Sequence, residues 1–180
     1  PQIINCTFTN NIAGDGGGAI DCSYESSPLI RNCFFKNNRA RWGGGLSCRG
    51  NASPIVYRAN FDRNVAEGTN LGFGGAIFAD FQARPVFTES TFYGNAARYG
   101  GALACFEDSQ TNLDHCTVLE NSAVWMGGGM FCNDASPSIT GSIFAFQDGT
   151  AITAAGTAIP QIEFSDIYGN SRGNWIGAIA

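Results

Sequence analysis

A cycle of apolar, amide and glycine positions returns along the whole chain, and it limits the possible fold more than any single residue does. Counted from the Pro of PQIINC, the same register begins at Pro1, Pro28, Pro54, Pro85, Thr111, Pro137 and Pro160. The period is about 26 residues, with an insertion at 67–73 (EGTNLGF) and a shorter interval near the end. Two positions after each start stand Ile3, Ile30, Val56, Phe87, Leu113, Ile139 and Ile162; seven after it stand Phe8, Phe35, Phe61, Phe92, Val118, Phe144 and Ile167. Five after the start the residue is small (Cys6, Cys33, Ala59, Ser90, Cys116, Ser142, Ser165). Ten after it the residue is an amide (Asn11, Asn38, Asn64, Asn95, Asn121, Gln147, Asn170). A glycine block follows, as in Gly17-Gly18-Ala19-Ile20 and Gly100-Gly101-Ala102-Leu103, and then a second small column of Cys22, Cys48, Ala79, Cys105 and Cys132.

Short β-type runs such as IINCTF and AIFADF, divided by Gly, Asn and Ser, cannot each build a core, but stacked coils can. The glycine blocks interrupt any helical periodicity. A unit of this length matches one turn of a parallel β-helix, so the expected fold is all-β, a right-handed parallel β-helix of about seven coils, one domain covering 1–180. In-register stacking would set Phe over Phe in the interior and join Asn11, Asn38, Asn64, Asn95, Asn121 and Asn170 into an amide ladder at a corner. The glycines would allow tight turns with positive φ before the strand that starts at Ile20 and its equivalents.

At 44% hydrophobic and 14% charged residues, the chain is suited to one folded domain. Its one lysine, Lys36, and scattered arginines, against a net charge of −5, form no basic stripe, so nucleic acid and anionic membrane are poorly matched partners. No apolar run approaches the roughly 20 residues of a membrane span. The cysteines fall in columns otherwise filled by Ala and Ser, and no CxxC or Cys/His spacing occurs, so they read as small buried thiols.

Phe-x-x-Asn followed by Gly-Gly-Ala-Ile, as in FTNN with GGAI, FKNN with GGGL, FDRN with GGAI and FYGN with GGAL, resembles the repeats of the chlamydial polymorphic outer-membrane proteins. It is equally similar to β-helix repeat proteins of other bacteria whose units read P-x-I-x-N-C-x-F-x-x-N-x-A before a glycine run. The resemblance implies a secreted or surface-displayed bacterial passenger segment, often adhesive, and transfers no catalytic residue. Residues 142–153 (SIFAFQDGTAIT) depart from the pattern, and the outer-membrane barrel of those proteins is not in this sequence.

β-Helices also host pectin-degrading enzymes, but the motifs Asn-Thr-Asp, Asp-Asp, His-Gly and Arg-Ile-Lys are not in this sequence. Four positions after each start the residues are mixed: Asn5, Asn32, Arg58, Glu89, His115, Gly141 and Phe164. Stacking would line up Arg58, Glu89 and His115, with Arg31 and Asp114 alongside, either as a solvated ion-pair ladder or as a general acid–base pair in which Glu89 orients His115. A second patch after the Cys22 column gathers Asp80, Phe81, Phe106, Glu107, Asp108, Asn133 and Asp134 on coils three to five, where stacked Glu107 and Asp134 would splay into water or share a cation. Solvated loop acids are the plainer account; a Ca²⁺ or glycan site is the alternative. Tyr24, Trp42, Tyr99, Trp125 and Trp175 read as rings packed over bare glycine backbone.

The preferred reading is a non-enzymatic extracellular or cell-surface solenoid, adhesive or structural, without a cofactor. Its partners would be a host surface, a glycan or further copies of itself stacked end to end into filaments. A carbohydrate-active β-helix protein is the alternative. A chain opening on Pro, with no charged cap at either end, is expected to be a segment of a longer protein.

Overall fold

A computed structural model describes residues 1–68 and 71–178, and within them every regular element is a β-strand. Each coil gives one strand to each of three seven-stranded parallel sheets. Sheet one runs from Gln2–Ile4 to Gln161–Glu163, sheet two from Thr7–Thr9 to Asp166–Tyr168, and sheet three from Ile20–Ser23 to Trp175–Ile176. A fourth ladder, made of Arg39–Ala40, Val65–Ala66, Ala96–Tyr99 and Ser122–Met126, closes the corner between sheets two and three. The chain is a parallel β-solenoid of about seven turns, as the repeat requires.

Register is fixed by the repeated side chains. Ile3 pairs with Ile30, Phe8 with Phe35, Phe35 with Phe61, and Phe61 with Phe92. The four rings stack with centroid separations of 5.0, 4.5 and 5.1 Å, near the spacing between coils. Phe35, Phe61, Phe92 and Phe144 are fully buried with Ile30, Leu46, Ile77 and Leu103 in a continuous core. At the two ends the equivalents Ile3, Phe8, Ile162 and Ile167 are only partly covered.

The strands are short because each is stopped by a residue in the left-handed region. Asn5, Asn32, Arg58, Glu89, His115, Gly141 and Phe164 all have φ between 48° and 58° at the corner between sheets one and two. The mixed chemistry of this column follows: the stacking conserves a backbone conformation there, and the side chains point away from the core. Asn and Gly adopt it at little cost, the others at about 1–2 kcal/mol each.

The amide ladder lies between sheet two and the fourth ladder. Asn95 is fully buried; its Oδ1 accepts from both the backbone N–H (2.8 Å) and the Nδ2 (3.0 Å) of Asn64. Its own Nδ2 donates to Asn121 Oδ1 (2.9 Å) and to the Phe61 carbonyl (2.9 Å). The same pattern joins Asn11 to Asn38 and Asn38 to Asn64. On coil six, Gln147 Oε1 accepts from Asn121 in the same way, and Asn170 Oδ1 accepts from the Gln147 backbone N–H.

The glycine block serves two distinct needs. Gly100 sits at φ 65°, and a Cβ there would run into the Leu103 carbonyl. Gly101 has no such φ, but a Cβ would strike the carbonyl oxygen of Gly128 on the next coil and lie 2.5 Å from the Ser122 carbonyl.

Two stability outcomes are expected. Asn95→Ala strips partners from Asn64, Asn121 and the Phe61 carbonyl at once and should cost about 1–3 kcal/mol, whereas Asn133→Ala removes only a bond to the exposed Asp134 and should cost far less. Equal urea midpoints for the two variants would sink the ladder's importance. Gly101→Ala should lower the midpoint by the equivalent of about 1–3 kcal/mol or prevent folding. Gly14→Ala, where a Cβ meets nothing within 4 Å, should stay within about 0.5 kcal/mol of the parent.

Candidate functional site

Strand alternation sends Phe78 and Asp80 to the outer face of sheet three while Ile77 and Ala79 enter the core. Outward residues are usually wet, yet the column Ser47, Phe78, Ala104, Phe131 and Thr153 is buried. It is covered by a second aromatic layer. Trp42, Phe73 and Tyr99 are brought into line by bridges between consecutive coils just before the glycine blocks. Trp42 stacks 6.0 Å from Phe78, Phe73 lies 5.3 Å from Tyr99 and 4.8 Å from Phe106, and Tyr99 lies 5.1 Å from both Phe131 and Trp125. These rings therefore cover a sheet of side chains as well as glycine backbone. Tyr24, by contrast, is 88% exposed.

Below this layer, on coils two to four, runs a groove of about 240 Å³ walled by Trp42, Phe73, Phe78, Phe81 and Phe106, with Arg49, Leu71, Asp80 and Glu107 at its margins. Leu71 and Phe73 come from the insertion at 67–73, so the insertion does supply one wall; its Thr69 and Asn70 lie outside the described residues. A neighbouring groove, sharing Arg49 and Phe81, passes between Tyr24 and Phe81 over Gly50 and includes Asp21.

The patch Asp80, Phe81, Phe106, Glu107, Asp108 and Asp134 is divided by the turns that carry it. Phe81, Glu107, Asp108 and Asp134 all have φ between 44° and 58°, which fans successive side chains apart. Asp80, Phe81, Phe106 and Glu107 share the aromatic groove. Asp108 and Asp134 face a separate polar groove of about 520 Å³, with Ser109, Gln110, Ser136 and Thr157. Asp134 gains three neutral donors: Oδ1 accepts from the Thr157 N–H (2.9 Å) and hydroxyl (3.0 Å), and Oδ2 from Asn133 Nδ2 (3.0 Å). The Thr157 N–H, then its hydroxyl, hold the Asp134 carboxyl below its usual range. Among the described residues no group of three His, Cys, Asp or Glu is close enough to hold a metal ion.

Asp80 is the perturbed acid. Burial is the main cause of its raised pKa, and the charge of Glu107 adds to it; the Phe81 N–H donated to Oδ1 at 2.9 Å and the nearby Arg49 work the other way. Arg49 is itself engaged, donating to Asp21 Oδ2 at 3.1 Å and standing 5.7 Å over the Trp42 ring. Sequence reasoning missed Arg49, Trp42, Phe73 and Phe78 as one site. The outward parity of Arg49 and Phe78 within their strands was the available signal, whereas Trp42 and Phe73 lie on isolated bridges outside that alternation.

Of the two readings of the mixed column, the solvated ion pair holds for Arg58 and Glu89, and the alternative in which Glu89 orients His115 does not match the geometry. Glu89 accepts from Arg58 Nε at 2.7 Å and from the Tyr57 hydroxyl at 3.3 Å, and the Arg58 bond lowers its pKa. His115 Nδ1 instead lies 2.7 Å from Asp114 Oδ1, and both groups are on open surface. At this corner His115 pairs with the residue before it, Asp114, whereas Glu89 is held across coils by Tyr57 and Arg58.

All seven cysteines are free thiols. Burial pushes Cys22 and Cys116 up to about 11 and raises Cys48 as well, which keeps these sulfurs protonated and unreactive at neutral pH.

Sequence comparison agrees with this architecture. The profile of the right handed beta helix region matches residues 2–135, and the chain belongs to that family. Over 136 residues it is 30% identical to the metabotropic glutamate receptor-like protein R of Dictyostelium discoideum, across 74% of this chain. The alignment spans 8% of that relative's length. No solved structure is significantly similar. The family match stops at residue 135, although coils six and seven continue the same three sheets.

A carboxyl whose folded pKa stands above its unfolded value of 3.8 weakens the fold when ionised, a penalty present at neutral pH and removed as pH falls through the raised value. Asp80→Asn keeps the acceptor for the Phe81 amide and deletes the charge. Its urea midpoint should exceed the parent's at neutral pH, and the two should converge as the pH falls toward about 4; parallel pH profiles would contradict this assignment.

Proposed function

We propose that the chain is a non-enzymatic segment of an extracellular or cell-surface protein, a rigid spacer whose loops make adhesive contacts. One observation carries the reading. The recurrent residues are committed to the stack (Phe and Ile to the core, Asn to the ladder, Gly to close backbone approach), which leaves variable side chains to the turns and the outer face of sheet three. A receptor-like relative and the resemblance to surface-displayed bacterial repeats support the location. End-to-end association belongs to the same proposal for copies of this chain in isolation, in which Ile3, Phe8, Ile162 and Ile167 are partly covered; Ile179 lies outside the described residues. The alternative, a carbohydrate-active protein, draws on the carboxylate-bearing groove.

Antibodies against this segment should label intact cells that make the parent protein. Labelling only after permeabilisation would overturn the surface location. The purified chain should release no reducing ends or unsaturated products from acidic polysaccharides, with or without Ca²⁺. Turnover that is lost in His115→Ala or Asp80→Asn would promote the enzymatic alternative. Sedimentation velocity should show association growing with concentration and suppressed by Ile3→Lys; a strict monomer throughout would remove end-to-end stacking from the proposal.

A further inference from the structure

The groove on coils two to four combines features that the stack does not require. Its walls are π faces: Phe73 and Phe106 meet edge to face at 4.8 Å, Phe78 and Phe106 lie 5.8 Å apart, and Phe81 is 56% exposed at the rim. A left-handed phenylalanine, with φ 49°, held largely in solvent is costly twice over, in backbone strain and in wet apolar surface. Two carboxylates, Asp80 and Glu107, share the groove with these rings. The neighbouring cation does not cancel them, since Arg49 is bonded to Asp21 at 3.1 Å. Among the residues lining the two grooves, Asp21, Asp80 and Glu107 against Arg49 make three negative charges to one positive, a balance of −2, or −1 when Arg41 beside Trp42 is included. Trp42 already has Arg41 and Arg49 over its ring at 5.1 and 5.7 Å, and Phe73 is stacked on Phe78 and Tyr99, so the rings that line the groove for a ligand are Phe81 at the rim and Phe106 beside it.

Charge and shape together select the occupant. An anion is repelled. Ca²⁺ needs about six to eight oxygen ligands, and aromatic walls supply none. A neutral sugar could stack on Phe81 but would leave the Asp80–Glu107 repulsion in place. An ammonium on an apolar stem meets every feature at once, with charge for the carboxylates, stem for the rings, and attraction to the negative ring faces. We propose that this groove binds the lysine side chain of a partner polypeptide, the ammonium lying by Asp80 and Glu107 and the stem along Phe81 and Phe106. The neighbouring groove between Tyr24 and Phe81 gives the flanking residues of that partner room to lie down. The inference deepens the adhesive reading, and it stands or falls on binding alone, whatever the cellular location.

The test is calorimetric titration of the chain with Nα-acetyl-lysine N-methylamide, with the same compound acetylated at Nε, with choline and with a neutral oligosaccharide. NMR shifts of Phe81 and Phe106 locate the binding. The charged lysine derivative should bind saturably, and Nε-acetylation, or Asp80→Asn combined with Glu107→Gln, should weaken it by about tenfold or more. Asp80→Asn is expected to be at least as stable as the parent, and matching far-UV circular dichroism confirms that each variant is folded. Equal binding of the acetylated compound, saturation by the oligosaccharide alone, or shifts that avoid Phe81 and Phe106 would each overturn the proposal. Choline bound more tightly than the lysine derivative would overturn the polypeptide source and assign the groove to a free organic ammonium.

Discussion

The amide ladder is the interaction on which the rest of the solenoid depends. A coil of this size cannot close its corner with backbone hydrogen bonds alone, because the chain turns there and its N–H and C=O groups lose their strand partners. A buried Asn repairs this from the side: one Oδ1 takes a backbone N–H and a side-chain N–H from the preceding coil, while Nδ2 donates to a Phe carbonyl of that same preceding coil. Every group in the cycle has a partner only if the next coil carries an amide at the same place. Asp would lack the donor, and Leu would lack both. Gln147 on coil six keeps the chemistry with a longer arm, reaching the Val118 carbonyl through Nε2 at 2.6 Å.

Once the ladder sets the register, the other columns follow from geometry. Phe over Phe, Ile over Ile and small over small result from stacking at strand spacing, and Gly18, Gly44, Gly75 and Gly101 must stay bare because the next coil's glycine carbonyl stands where a Cβ would be. Corner residues obey a different rule, since only their φ repeats. Arg58, Glu89, His115 and Phe164 share nothing except a left-handed backbone, and they carry their side chains out of the stack. The molecule thus separates positions that specify the fold from positions free to vary, and the outer groove is assembled from the second kind.

This division explains how much the sequence revealed. The period, the core columns and the coil number were legible because in-register stacking writes the same residue at the same place in each unit. In the His115 column the exposed ion pair of Arg58 and Glu89 was legible from stacking, whereas the partner of His115 was not, because it is Asp114 beside it and not a residue of the next coil. The candidate patch was half legible. Asp80, Phe81, Phe106 and Glu107 do line one groove, whereas Asp108 and Asp134 turn to another, and Arg49, Trp42, Phe73 and Phe78 were hidden because the second aromatic layer folds back across sheet three from before each glycine block.

Hydrogen exchange of the side-chain amides tests the central claim most directly. An exposed Asn exchanges its Nδ2 protons freely, but those of Asn64, Asn95 and Asn121 are buried and doubly bonded, and they should open only with the stack itself. NMR should therefore find them protected to the same degree as the backbone amides of the adjoining strands Asn60–Asp62 and Thr91–Tyr93. Free exchange of these Nδ2 protons in a chain whose strand amides remain protected would contradict the account, because the corner would then be holding without its ladder.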